Sequence, residues 1–163
     1  MVEPTKFTAF LRIEDVLLDP QVESKAALLA AAADHLAQAT GVASEDILKA
    51  LTDREALGST AIDHGIAVPH AGMAALPAPA AVFFRLAHPI DFEASDDTPV
   101  DLVFVVIWPK DNRSGLLAAL GGLSRSLREA PLRQGLRNAS SQTEVRSLLD
   151  RSATQATPRL SEN

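Results

Sequence analysis

The stretch from Val100 to Trp108 restricts the possible folds more than any other part of this chain. It reads Val-Asp-Leu-Val-Phe-Val-Val-Ile-Trp, a nearly continuous apolar run rich in β-branched residues. A run this short and this apolar is buried on both faces, as in a central strand covered by helices on each side. The rest of the chain supplies the covering elements. Ser24 stands as N-cap before an Ala/Leu-rich helix running to about Ala39 and stopped by Thr40-Gly41, with Ala26, Leu29, Ala33 and Leu36 as its buried stripe. His35 lies within that helix and reads as a solvated or capping imidazole. Ser44-Glu45-Asp46 opens a second helix, with acidic residues favoured by the dipole, that buries Ile47, Leu48 and Leu51 and ends near Arg54-Glu55.

Further strands are predicted at Ile62–Val68, broken by a sharp turn at Asp63-His64-Gly65, and at Ala80–Leu86. Pro69-His70-Ala71-Gly72 terminates the first of these, and His88 reads as a structural loop residue. A helix follows over Leu116–Leu127, and Ser141-x-x-Glu144 has the capping-box spacing that starts a last helix to about Asp150. Helices interleaved with strands give the α/β class, a single domain with a mixed β-sheet flanked by helices. Its expected extent is residues 10–151, between a flexible N-terminus (1–9) and a disordered polar tail (152–163).

Bulk properties exclude several kinds of function. The 163 residues are 47% hydrophobic and 22% charged, a globular balance, and there is no cysteine for a thiolate, disulfide or cysteine metal site. A net charge of −6 without a cluster of Lys or Arg argues against nucleic-acid binding. No run of about 18 apolar residues suits a membrane span, and the first residues lack the apolar core of a signal peptide. The expectation is a cytoplasmic, soluble protein without direct membrane insertion.

Polar chemistry concentrates between Arg54 and His70. His70 follows a proline at the end of an apolar strand, so a rigid element delivers its imidazole to a loop mouth. A neutral imidazole there is a nucleophile with a pKa near working pH. If it carried a phosphoryl group, Arg54 could neutralise the oxygens and the Ser59 and Thr60 hydroxyls could bind them. Such a transfer needs no metal and no cofactor. On spacing alone a second reading stands beside this one: Pro69-His70 as a turn dipeptide and Arg54 as a surface charge.

The segment as a whole resembles the EIIA domains of the bacterial phosphoenolpyruvate-dependent phosphotransferase system, fructose/mannitol class. The resemblance is carried by Arg54-Glu55, Gly58-Ser59-Thr60 and Gly65-Ile66-Ala67-Val68-Pro69-His70. It continues through Pro89-Ile90-Asp91-Phe92, Pro99-Val100-Asp101-Leu102-Val103-Phe104 and Leu136-Arg137-Asn138-Ala139, covering roughly Leu11 to Asp150. It implies a phosphohistidine carrier or regulator with His70 as acceptor and Arg54 beside it. The donor would be an HPr-type phosphocarrier, and the downstream partner an EIIB or a regulatory target. A stand-alone chain is most similar to the nitrogen-regulatory branch, linked to nitrogen or potassium regulation, with sugar uptake as the other role.

One departure bears on mechanism. Family members carry a second active-site histidine at the start of the helix after the long strand; here Leu116 or a neighbour falls at that place. His64, Lys110 and Arg113 are the candidates to take its part in binding phosphate. Without that histidine, a non-transferring regulatory module on the same scaffold is the alternative. A hydrolase using Asp63, His64 and His70 is a third reading, but it has no reason to carry the flanking motifs. Met73 and Leu76 are expected as an exposed apolar rim for docking.

Overall fold

The computed structural model describes residues 6–155. Residues 1–5 and 156–163, which hold part of the expected flexible N-terminus and most of the expected tail, lie outside the described residues. In chain order the strands are β1 (Val16–Leu18), β2 (Ala61–Ile62), β3 (Ile66–Ala67), β4 (His70–Met73), β5 (Ala80–Ile90) and β6 (Val100–Pro109). The α-helices are α1 (Lys25–Thr40), α2 (Ser44–Ala56), α3 (Arg113–Leu127), α4 (Ala130–Asn138) and α5 (Gln142–Gln155).

The apolar run forms β6, inside a mixed sheet of order β1-β5-β6-β3-β2, with β4 also paired to β6. Alternation along β6 divides the interior into two cores. Leu102, Phe104, Val106 and Trp108 meet Leu116, Leu123, Leu136 and Val145 from the C-terminal helices on one face. Val103, Val105 and Ile107 meet Leu28, Leu36, Ile47 and Leu51 of α1 and α2 on the other. Double coverage explains why the run is uninterrupted: from Leu102 to Trp108 neither face of β6 meets water. The expected α/β class and mixed sheet are what is observed.

Local signals account for both ends of α1 and the start of α5. Ser24 Oγ accepts from the Ala27 N–H at 3.1 Å, and Gly41 closes α1 in the left-handed region at φ 78°. The buried stripe of α1 is Leu28, Leu29, Ala32, Ala33 and Leu36, whereas Ala26 is exposed. At α5, Ser141 Oγ accepts from the Glu144 N–H, and the Glu144 carboxylate reaches back to the Ser140 N–H at 2.9 Å. That helix continues to Gln155, past the expected start of the tail.

Several expectations are corrected. Helix α3 starts at Arg113, because the Asn112 side chain caps it by accepting from the Gly115 N–H at 3.2 Å. Helix α4 was not expected; its only buried apolar residues are Leu132 and Leu136, too few for a periodic signal, and Pro131 in its first turn is the one start marker. Phe7–Ala9, placed in the flexible N-terminus, form a 3₁₀ turn with Phe7 against Phe104, ring centroids 5.5 Å apart. His88 is exposed on β5, not in a loop. His35 is no free imidazole: its Nε2 lies 2.8 Å from Oδ1 of the buried Asp15, joining α1 to the 3₁₀ turn Ile13–Asp15.

Candidate functional site

His70 is placed by an interrupted strand. β3 and β4 hold one register against β6, with Ile66 opposite Leu102, Ala67 opposite Val103 and His70 opposite Val106. Pro69 sits in the gap; it has no N–H to donate, yet its carbonyl accepts from the Val106 N–H at 2.9 Å. The strand therefore resumes after the proline and runs on to Met73, instead of ending at Pro69-His70 as the sequence suggested. Alternation along β4 sends Ala71 and Met73 into the core under α1 and α2, and His70 to the α3 side.

The His70 ring is fixed by its own backbone. Nδ1 lies 2.8 Å from the Val68 carbonyl oxygen. A carbonyl only accepts, so Nδ1 carries the proton and Nε2 keeps its lone pair. Burial lowers the ring's pKa below its ordinary 6.5, and the Arg54 cation lowers it further; the Val68 carbonyl and Glu55 pull the other way without reversing the shift. His70 is thus a neutral imidazole at neutral pH with a nucleophilic Nε2.

The imidazole borders an open cavity of about 230 Å³ that also touches Arg54, Ser59, Thr60, Leu120 and Ser124. Arg54 belongs to the last turn of α2 and donates to the Gly58 carbonyl at 3.0 Å. Its neighbour Glu55, buried, organises the turn between α2 and β2. Glu55 accepts from the Thr60 N–H at 3.2 Å and from the Thr60 hydroxyl, and Lys25 Nζ lies 2.8 Å from its Oε2. Lys25 in turn stands 4.8 Å from the centroid of the Phe92 ring. Ser59 Oγ donates to the Phe92 carbonyl at 2.6 Å and accepts from the Ala61 N–H at 3.1 Å.

The predicted residues are not all brought together. His70, Arg54, Ser59 and Thr60 share one cavity, but both hydroxyl protons of the serine and threonine are committed to protein acceptors. Those two residues build the turn and are not free donors to a phosphate. His64 is elsewhere: exposed, at φ 67°, it borders a separate depression of about 350 Å³ with Pro89, Pro99, Asp101 and Arg137. The Arg137 guanidinium donates to the His64 carbonyl and pairs with Asp101 at 3.0 Å, so the hairpin turn is clamped away from His70. Separation of His64 from His70 also removes the grouping that a hydrolase reading needs.

Lys110 and Arg113 are exposed and do not border the His70 cavity. Met73 and Leu76 are buried, because the period of β4 turns Met73 inward. The large apolar side chains exposed among the described residues are Ile13, Leu57 and Leu117; Leu57, 84% exposed, lies on the turn that carries Ser59. Leu116 packs in the core at 8% exposure.

The family model for "Phosphoenolpyruvate-dependent sugar phosphotransferase system, EIIA 2" matches residues 9–152. The chain belongs to this EIIA family. A nitrogen regulatory protein of Bradyrhizobium diazoefficiens is 35% identical over 136 residues, 83% of this chain and 89% of that protein. A fructose-specific EIIA component of the phosphotransferase system from Haloferax volcanii is 38% identical over 102 residues, 63% of this chain and 66% of that protein. Among solved structures, the nitrogen regulatory protein IIA-Ntr of Neisseria meningitidis superposes with a TM-score of 0.86 at 30% identity, over 89% of this chain and 99% of that one.

Three residues of this EIIA domain's site escaped the sequence reading. Glu55 was visible only as half of a motif; its burial under Lys25 could not be read from spacing. Leu120 and Ser124 belong to a helix whose facing residue toward β4 depends on how α3 lies across the sheet. For His64, the positive φ suits asparagine better than histidine. His64→Asn is expected to leave phosphoryl labelling unchanged and the unfolding midpoint equal or slightly higher, as read by thermal melts. A loss of labelling as complete as that of a His70 variant would place His64 in the transfer.

Proposed function

We propose that this EIIA domain accepts a phosphoryl group on His70 Nε2 from an HPr-type phosphocarrier and passes it to an EIIB, or signals its presence to a regulatory target. The observation that carries the reading is the Nδ1–Val68 carbonyl contact, which leaves Nε2 free beside an arginine in an open cavity. In the step, the Nε2 lone pair forms the new N–P bond while the donor's N–P bond breaks. That electron pair returns to the donor ring, which leaves as neutral imidazole. The proton stays on Nδ1, donated to the Val68 carbonyl, and that contact stabilises the charge the ring gains. Arg54 faces the phosphoryl oxygens, and Leu57 and Leu117 offer apolar contacts to the docking partner.

Incubation with phosphoenolpyruvate, enzyme I and the phosphocarrier, followed by measurement of acid-labile phosphate, tests the proposal. Stoichiometric label is expected. No label on the wild-type chain sinks the carrier reading and favours a regulatory module that binds without transfer, an alternative supported by leucine at position 116. Arg54→Ala is expected to slow labelling by roughly tenfold to a hundredfold, the cost of one charge-assisted contact to the phosphoryl group. Its thermal melt should be nearly unchanged, since the lost bond to Gly58 is exposed. Unchanged kinetics would remove the arginine from the site.

A further inference from the structure

The cavity beside His70 has three hydroxyl-bearing residues in its lining, Ser59, Thr60 and Ser124. Two of them are occupied: Ser59 donates to the Phe92 carbonyl and Thr60 to the Glu55 carboxylate. Ser124 differs. It sits half-buried on α3, and its hydroxyl makes no hydrogen bond among the described residues. A serine inside a helix commonly bonds back to the carbonyl four residues earlier, so an unused hydroxyl facing a cavity is available to a ligand.

Helix geometry sharpens the point. Leu116, Leu120 and Ser124 are spaced at four-residue intervals and follow one another along a single face of α3. Leu116, which with its neighbours falls at the place of the missing histidine, is packed in the core and can donate nothing; Leu120 borders the cavity but is apolar. Ser124 is the first residue along that face able to donate a hydrogen bond, and it shares the cavity with His70. Arg54 lines the same cavity.

We infer that Ser124 is the hydrogen-bond donor that holds the phosphoryl group on His70, in place of the imidazole absent from the start of α3. The inference rests on the carrier reading above and adds a binding residue to it. A hydroxyl supplies a neutral, short-range bond where an imidazole would bring a titratable one. The phosphorylated state of this chain should therefore lose little stability as pH rises through the range in which a histidine would deprotonate.

The test uses two donors, the phosphorylated carrier protein and the small chemical donor phosphoramidate, on wild type, Ser124→Ala and Ser124→Thr. Acid-labile label is followed with time, and the ³¹P resonance of phosphohistidine is titrated with pH. For Ser124→Ala, labelling is expected to slow by roughly tenfold, phosphohistidine to hydrolyse faster, and the ³¹P titration midpoint to shift. Ser124→Thr keeps the hydroxyl and should restore all three. Since Ser124 has no bond to lose, the thermal melts should coincide.

Equal rates, lifetimes and ³¹P midpoints for wild type and Ser124→Ala overturn the assignment while leaving the carrier reading intact. Label from phosphoramidate but none from the carrier overturns the carrier reading, and the lifetime and ³¹P comparison still decides the role of Ser124. Absence of label from both donors overturns both.

Discussion

Replacing His70 with alanine is expected to abolish acid-labile labelling completely while the domain stays folded. The reason is that the described cavity offers one nucleophilic nitrogen. Ser59 and Thr60 have their protons committed, and Arg54 remains a cation. The stability cost should be small, because the ring lies at a cavity mouth and its one hydrogen bond is to a carbonyl two residues away. The same geometry sets the pH dependence. With its pKa below 6.5 in the folded state, the ring is neutral throughout pH 7–8, so the labelling rate should be flat there and fall only as pH drops below 6.5. Between 6.5 and the lower folded value the unfolded chain binds the extra proton, so His70's contribution to stability is present above that window and is lost on acidification. Measurement requires quenched-flow labelling across pH, with circular dichroism on the variant. Residual label in His70→Ala, or a rate that falls between pH 8 and 7, would show that another group is phosphorylated or that the ring is not held neutral.

The largest stability effect is expected at Glu55. Removing its carboxylate by Glu55→Ala leaves Lys25, with 17% of its side chain exposed, without its 2.8 Å partner. It also leaves the Thr60 N–H and hydroxyl without their acceptor. Breaking one side of such a buried pair costs about 3 kcal/mol. Chemical denaturation should show the midpoint falling with little change in slope. Phosphoryl transfer should suffer as well, because the turn from Gly58 to Thr60 forms one wall of the cavity and carries the carbonyl that orients Arg54. Glu55→Gln, which can still accept from Thr60 but is neutral against Lys25, should fall between. A fully stable Glu55→Ala variant would show that the turn is held by the Ser59–Phe92 contact alone.

How much of this was legible in the sequence depends on the range of the interaction involved. The α/β class followed from the apolar run at β6 and the capped helices around it, because burial on two faces and helix capping are written in neighbouring residues. The proposed acceptor and its arginine were legible as a motif, since both lie within 17 positions and reach one cavity from the two ends of one connected segment. What failed had a longer range. His64 stands six residues before His70, yet a left-handed turn clamped by Arg137 turns it to a different depression. Met73 was expected at the rim, but a strand that resumes after Pro69 imposes a period of two that turns it inward. The occupied state of Ser59 and Thr60 depends on Phe92 and on a carboxylate buried by Lys25, which no spacing reports.

By itself, then, the amino-acid order determined the class of fold and its family and singled out the candidate nucleophile, because each rests on local periodicity or on a compact motif. Tertiary structure alone decided which nitrogen is free, which hydroxyls are available and which face of α3 looks into the cavity. Those depend on contacts between residues distant along the chain, whose geometry exists only once the two cores have packed against the sheet.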